Sequence, residues 1–183
     1  MAITQSILSV IQSIFCTGPA HLLCFSALLG TELYQSFVIT KICFLVLPRK
    51  PFTALQARVF PVYFRLQSSL LILLALTTPS RGLLSLIERK SNWIPLLVGA
   101  CTAALNLFFY GPRTSRAMVR IDQLGTATAG DRTESSEREP LNQDKAVLRK
   151  TFSKNHAASI HFNLITIIAT LCYGWGLSTK LAT

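Results

Sequence analysis

The chain contains four long apolar runs that are separated by polar and charged segments. These runs cover approximately residues 20–47, 61–78, 93–110 and 158–177. A helix needs roughly 20 residues to cross a hydrocarbon core of about 30 Å. Lipid cannot satisfy free backbone N–H and C=O groups, so spanning segments are expected to be helical. The pattern predicts an all-α polytopic membrane protein with four transmembrane helices in an antiparallel bundle.

Prolines near the ends of these runs predict where the helices start and stop. Pro48 and Pro51 are expected to break the first helix, and the residues from Phe52 to form a short interfacial helix. Pro61 is expected to begin the second span, because a proline in the first helical turn loses little hydrogen bonding. Tyr63 and Phe64, which follow it, are expected to lie at head-group depth as an aromatic anchor. Pro112 is expected to end the third span.

Composition divides the chain into four regions. Residues 1–19 predict an amphipathic segment at the membrane interface, and residues 20–124 hold the first three spans with a cytosolic helical extension. Residues 125–140 are rich in Gly, Thr, Ser and charge, which predicts a disordered cytosolic linker. Residues 141–183 are expected to form a cytosolic helix that leads into the fourth span and a short tail.

The net charge of +10 is distributed unevenly along the chain. The first and third loops with their flanks hold 14 of the 18 basic residues. The positive-inside rule therefore predicts that the large third loop is cytosolic and that both termini are non-cytosolic, in an endomembrane or the plasma membrane. Nucleic acid is not an expected partner, since no binding module accompanies the charge. The expected partners are the bilayer, including its anionic head groups, and a second copy or another membrane protein.

Signatures of catalysis and cofactor binding are absent from the sequence. It contains no G-x-G-x-x-G, Walker A, H-E-x-x-H or G-x-S-x-G motif, and its five cysteines form no C-x-x-C. We therefore expect no enzyme activity, no cofactor and no metal site. A route for a soft metal through the thiols remains an alternative, because thiolates bind Cu(I) and Zn well.

Polar residues within the apolar runs are the strongest candidates for function. Glu32, Gln35, Ser36 and Thr40 recur at helical spacing, so they share a face of the first span. Glu32 falls near the middle of that span, and Asn163 lies within the fourth run. Such residues either form a proton or solute path, or join the helices by hydrogen bonds that fix their packing.

Four blocks of the sequence resemble the transmembrane protein 205 family of four-span eukaryotic membrane proteins. They are HLLCFSALLGTELYQSFV, LPRKPFTALQARVFPVYF, NLFFYGPRTSRAM and FSKNHAASIHFN. The resemblance implies a cluster of motif residues at the cytosolic face, in which Arg113 is expected near Phe60 and Tyr63. The members of this cluster are Phe52, Gln56, Phe60, Pro61, Tyr63, Phe64, Asn106, Pro112, Arg113, Thr114, Met118 and His156. The family implies no catalytic residues, and Glu32 departs from its pattern.

Together these observations predict an integral multi-pass membrane protein with a structural or accessory role. It would act through helix packing and basic cytosolic loops. A small transporter or channel component with a polar path through the bundle is the alternative.

Overall fold

The computed structural model describes residues 18–78, 90–130 and 135–181. All of these residues are helical except 47–48 and 77–78. The helices are α1 (Gly18–Val46), α2 (Arg49–Leu76), α3 (residues 90–130) and α4 (Ser135–Leu181). The predicted interfacial segment, residues 1–19, lies outside the described residues except for residues 18 and 19, which begin α1.

All four helices contain a stretch long and apolar enough to cross a membrane. These stretches are Gly18–Val46, Arg49–Leu76, Trp93–Leu124 and Gln143–Thr179. α1 packs against α2 and α4, and α3 packs against the same two helices, so the four form a bundle. Large apolar side chains such as Leu45, Val46 and Trp175 remain exposed on its outer surface, as expected for a surface in contact with lipid. The predicted all-α membrane fold is confirmed.

The predicted interfacial helix is instead the first part of α2, which runs without a break from Arg49 through Pro61. Helix formation begins directly after Pro48, whose carbonyl accepts a hydrogen bond from the Phe52 amide at 3.0 Å. Pro61 is accommodated within the helix, and Arg65 Nε donates to its carbonyl at 3.0 Å. α3 continues past Pro112 without a break, to residue 130.

The region predicted as a disordered linker, residues 125–140, is partly helical in backbone. α3 continues through residue 130 and α4 begins at Ser135, while residues 131–134 are outside the described part. Composition did not indicate these turns, because helices can extend by backbone hydrogen bonds without burying apolar side chains.

Two spans contain a π-helical turn, which no sequence pattern predicted. These turns are Tyr34–Ile39 in α1 and Asn106–Tyr110 in α3. In α1 the Thr40 hydroxyl donates to the Gln35 carbonyl at 2.7 Å, which satisfies a backbone acceptor in the wider turn. Turns of this kind often occur next to functional sites. Both turns lie beside the buried polar residues described below.

The π-turn in α3 requires glycine at position 111. A Cβ at Gly111 would lie 2.5 Å from the Asn106 carbonyl oxygen and 2.9 Å from the Phe64 ring. Gly111→Ala is therefore expected to destabilise the protein by about 1–3 kcal/mol, because the backbone and Phe64 must both shift. Thermal unfolding in detergent measures the loss. Gly30→Ala is the matched control, since a Cβ at Gly30 meets nothing within 4 Å. Equal stability of the two variants would contradict the prediction.

One end of the bundle carries most of the described basic residues. α1 ends and α2 begins there, with Lys41, Arg49 and Lys50 exposed, and α3 emerges there with exposed Arg113 and Arg116. We call this end the basic face and the other end the opposite face.

Candidate functional site

Glu32 lies in the interior of the bundle and is completely buried, with 0% of its surface exposed. Its Oε1 accepts hydrogen bonds from Gln67 Nε2 of α2 at 3.0 Å and from Thr170 Oγ1 of α4 at 3.3 Å. Its Oε2 has no hydrogen-bond partner. Within the described part of the chain, no cationic side chain pairs with this carboxyl group. Glu32 is thus a buried carboxyl group with two hydrogen bonds to one oxygen and none to the other.

Asn163 of α4 connects the helices that surround Glu32. Its Oδ1 accepts from Tyr63 OH at 2.8 Å, and its Nδ2 donates to Ser36 Oγ of α1 at 2.8 Å. Gln67 Nε2 also lies 3.3 Å from Asn163 Oδ1 and 3.2 Å from Tyr63 OH. We call Glu32, Ser36, Tyr63, Gln67, Asn163 and Thr170 the central polar network. Its members come from α1, α2 and α4.

Helical spacing places these side chains on inward faces. Tyr63 and Gln67 are four residues apart on α2, and residues with that separation lie on one face. Thr170 stands seven residues after Asn163, which is close to two turns of α4. The Thr170 hydroxyl also lies 3.0 Å from the Thr166 carbonyl, so its one hydrogen is shared between that oxygen and Glu32.

α3 joins the bundle through polar contacts adjacent to this network. Thr102 and Thr166 hydroxyls lie 2.7 Å apart. Asn106 is completely buried, and its Nδ2 donates to the Ser159 carbonyl at 3.0 Å. The Asn106 Oδ1 has no partner. Hydrogen bonds therefore tie α3 to α4 at the level of the α3 π-turn.

A second buried polar cluster lies nearer the opposite face. His21 is 1% exposed, and its Nδ1 lies 3.1 Å from Thr77 Oγ1, while its Nε2 lies 2.7 Å from Tyr173 OH. The Thr77 hydroxyl hydrogen is already directed at the Leu73 carbonyl, 2.8 Å away. This cluster joins α1, the residues that follow α2, and α4 near the opposite face.

An apolar layer separates the two polar groups. Glu32 and His21 are eleven residues apart on α1, which corresponds to about 16 Å along the helix axis. Between these levels lie Leu28, Leu71 and Leu74, which are buried and belong to one hydrophobic cluster with Leu96. The central polar network is therefore closed toward the opposite face.

A small cavity opens beside the network on the side of the basic face. Its volume is about 50 Å³. That space accommodates a few water molecules, because a single water needs at least about 10–15 Å³ measured in this way. The walls come from α2, α3 and α4 and include Phe60, Phe64, Thr114, Met118, His156 and Asn163. Asn163 thus faces the cavity and also belongs to the central polar network.

The structure brings part of the predicted motif cluster together around this cavity. Phe60, Phe64, Thr114, Met118 and His156 line it, and the His156 ring stacks on Phe152 at 5.2 Å. The other members occupy different surroundings, described next.

Tyr63 faces the interior at 4% exposure, although the sequence suggested an anchor at head-group depth. Pro61 and Pro112 line a separate shallow groove between α2 and α3, together with Phe64. Gln56 is buried with its Oε1 unpartnered.

Two members of the predicted cluster, Phe52 and Arg113, line neither the cavity nor the groove between α2 and α3. Phe52 makes an edge contact with Phe44, with ring centres 5.5 Å apart. The Arg113 guanidinium lies 6.0 Å from the Phe109 ring of its own helix, and this is its aromatic contact rather than the expected one with Phe60 or Tyr63. Arg113 is exposed at the basic face.

Among the intramembrane polar candidates, Glu32 and Asn163 belong to one network and Gln35 does not. Gln35 Nε2 donates to Thr40 on the same helix at 3.3 Å. Sequence reasoning missed Gln67, which contacts Glu32 directly. The available signal was an amide four residues after Tyr63, within the uncharged run that follows Arg65.

Comparison with known proteins identifies the family. The model of the family described as "Domain of unknown function (DUF4149)" matches residues 23–123, more than half of the chain. The chain is also 42% identical over 177 residues to "Xanthocillin biosynthesis cluster protein D" of Aspergillus fumigatus, an alignment that covers 97% of each protein. No solved structure matches. The family expected from the sequence, transmembrane protein 205, is therefore wrong, because these matches are to other proteins.

Proposed function

We propose that this protein is a small membrane carrier whose Glu32 binds and releases a cation during transport. The chain belongs to the DUF4149 family. The observation that carries the proposal is the state of that carboxyl group. It is fully buried within a candidate span, has no cationic partner in the described residues and leaves Oε2 without a hydrogen bond. Ionisable groups inside membranes are costly, and they commonly mark ion pathways.

A purely structural network would be expected to satisfy its polar atoms, because each unsatisfied buried group costs free energy. Here two oxygens of the network, Glu32 Oε2 and Gln67 Oε1, have no hydrogen-bond partner, and Glu32 is the one acid among the network's members. The central polar network also reaches a cavity near the basic face through Asn163. Together these features support reversible binding at Glu32, with no chemical reaction required of the protein.

Flux measurements in proteoliposomes test the carrier function. We expect protons, Na⁺ or K⁺ to move faster across vesicles that contain the protein than across empty vesicles, under an imposed gradient. Absence of any such movement would contradict the proposal. It would favour the second candidate, an accessory membrane protein.

The accessory function is supported by a different observation. The relative from Aspergillus fumigatus is named as a protein of the xanthocillin biosynthesis cluster. By analogy, this chain would serve a biosynthetic process at a membrane, through partners that contact its basic loops or a second copy. Dense hydrogen bonding among the helices would then serve to hold one rigid shape.

We further propose that the basic face is cytosolic, in an endomembrane or the plasma membrane, because basic loops are retained on that side. Anionic head groups are the lipid partners expected there. A cysteine introduced at exposed Arg120, in a chain with its five cysteines replaced, tests this orientation. An impermeant maleimide is expected to label it after selective permeabilisation of the plasma membrane and not in intact cells, whereas a luminal residue would be labelled only once internal membranes are also permeabilised. Labelling of intact cells would reverse the orientation.

A further inference from the structure

We propose that the cation bound by Glu32 is a proton, and that it reaches the carboxyl group from the basic face through the cavity between α2, α3 and α4. This inference rests on the proposed carrier function and specifies its ion and its route.

Both hydrogen-bond partners of Glu32 donate to its Oε1, while the acceptor Gln67 Oε1 has no hydrogen-bond partner of its own. Gln67 presents an amide N–H and Thr170 a hydroxyl hydrogen to Oε1. Hard metal cations instead require several oxygen ligands around them, six to eight for Ca²⁺. Within the described residues, no group of three His, Cys, Asp or Glu side chains is placed to hold a metal ion. A proton needs a single acceptor, and Oε2 is such an acceptor.

The cavity has the size and the polar wall that a water molecule requires. Thr114 is 8% exposed, lines the cavity and has a hydroxyl without a hydrogen-bond partner. Ser159, His156 and Asn163 also line it. A buried water typically makes about three hydrogen bonds to groups that lack partners. The cavity therefore suits a few waters in contact with the basic face.

Asn163 separates this cavity from Glu32. Tyr63 and Ser36 hold its amide on the network side through bonds of 2.8 Å each. Rotation of the Asn163 side chain away from Tyr63 would let a second water reach the carboxyl group. A hydronium in the cavity would then pass its proton through that water to Oε2. One O–H bond breaks in the hydronium, one forms on Glu32, and neutral water remains.

Access from the other side is blocked in this structure. The layer that contains Leu28, Leu71 and Leu74 lies between Glu32 and the His21 cluster. This layer is apolar and packed, so it offers a water chain no polar partner. Once the Asn163 side chain rotates, the carboxyl group would be reached from the basic face and not from the opposite face.

Infrared spectroscopy of the full chain in lipid nanodiscs tests the ion and the route. A C=O band of a protonated carboxyl group that is present in the wild type and absent in Glu32→Gln belongs to protonated Glu32. Its hydrogen–deuterium exchange rate, measured after a rapid change to D₂O, then reports access to that proton.

Two variants change the cavity in opposite directions. Ser115 lies on the cavity wall, so Ser115→Leu fills the space and is expected to slow exchange at least tenfold. Phe60→Ala removes a wall and is expected to accelerate it. Ala100→Leu is the matched control, because Ala100 lines a different, apolar groove between α2 and α3. Its exchange rate is expected to equal that of the wild type.

The outcomes separate this inference from the carrier function. Equal exchange rates in all four proteins, or no carboxyl band that depends on Glu32, would overturn the inference. Cation flux that requires Glu32 would leave the carrier function intact in that case. Conversely, exchange that responds to Ser115→Leu and Phe60→Ala without any flux would support the proton route and contradict the carrier function.

Discussion

Proteoliposomes that contain Glu32→Gln are expected to show cation flux at least about tenfold below wild type, a loss that corresponds to about 1.4 kcal/mol or more. Glutamine retains a carbonyl oxygen that can accept from Gln67 and Thr170, which now bond to Oε1. It cannot bind and release a cation at the other position, because an amide nitrogen replaces Oε2. Insertion and folding are therefore expected to be preserved while transport is lost.

Gln35→Leu is the matched control for this substitution. Gln35 lies on the same helix, three residues away, but its side chain bonds only within α1, to Thr40. The control is expected to retain wild-type flux, which is compared at equal reconstitution by fluorescence of a dye trapped inside the vesicles. Unchanged flux in Glu32→Gln would exclude Glu32 as the binding group.

Asn163→Leu is expected to produce the largest loss of stability in the bundle, about 2–3 kcal/mol. The amide bonds Tyr63 and Ser36 and lies close to Gln67, so leucine leaves groups from two other helices without partners. Single interhelical hydrogen bonds in membranes contribute about 0.6 kcal/mol on average and up to about 1.7 kcal/mol. Several lost together reach the expected value. Unfolding of the purified protein in mixed micelles, followed by circular dichroism, measures the free energy of unfolding.

Asn155→Leu provides the control, because Asn155 lies on the same helix with the same side chain and is only half-buried. It is expected to change the free energy of unfolding by less than about 0.5 kcal/mol. A double-mutant cycle with Ser36→Ala isolates the Ser36 bond, with an expected coupling of about 0.6–1.7 kcal/mol. Additive effects of the two substitutions would show that this bond contributes nothing to stability.

Individual residues show which features of the site the sequence pattern could predict and which it could not. Glu32 was recognisable as an inward-facing acid from its helical stripe, since periodicity reports which face a residue occupies. Its partner Gln67 was not recognisable, because contact across helices depends on their relative rotation and depth. Tyr63 illustrates the same limit. Its place near a proline and a charged segment suggested a surface anchor, but α2 begins earlier than expected and turns Tyr63 inward.

The two π-turns were also beyond sequence reasoning. Each inserts an extra residue into a span, which changes the register between the side chains before and after it. In α1 this change falls between Glu32 and Thr40, and so separates Gln35 from the network that contains Ser36. The need for glycine at position 111 in the turn of α3 is explained by the Phe64 ring and the Asn106 carbonyl that approach it.

The sequence by itself determined that the chain forms four membrane-spanning helices, because apolar length and the need to satisfy backbone hydrogen bonds allow little else in lipid. It also determined the segregation of basic residues and the presence of an acid near the middle of the first span. Only the tertiary structure decided that Glu32 has one bonded and one open oxygen, that Asn163 lies between it and a cavity, and that leucines close the other side. These features depend on distances between helices, which no single helix's pattern contains.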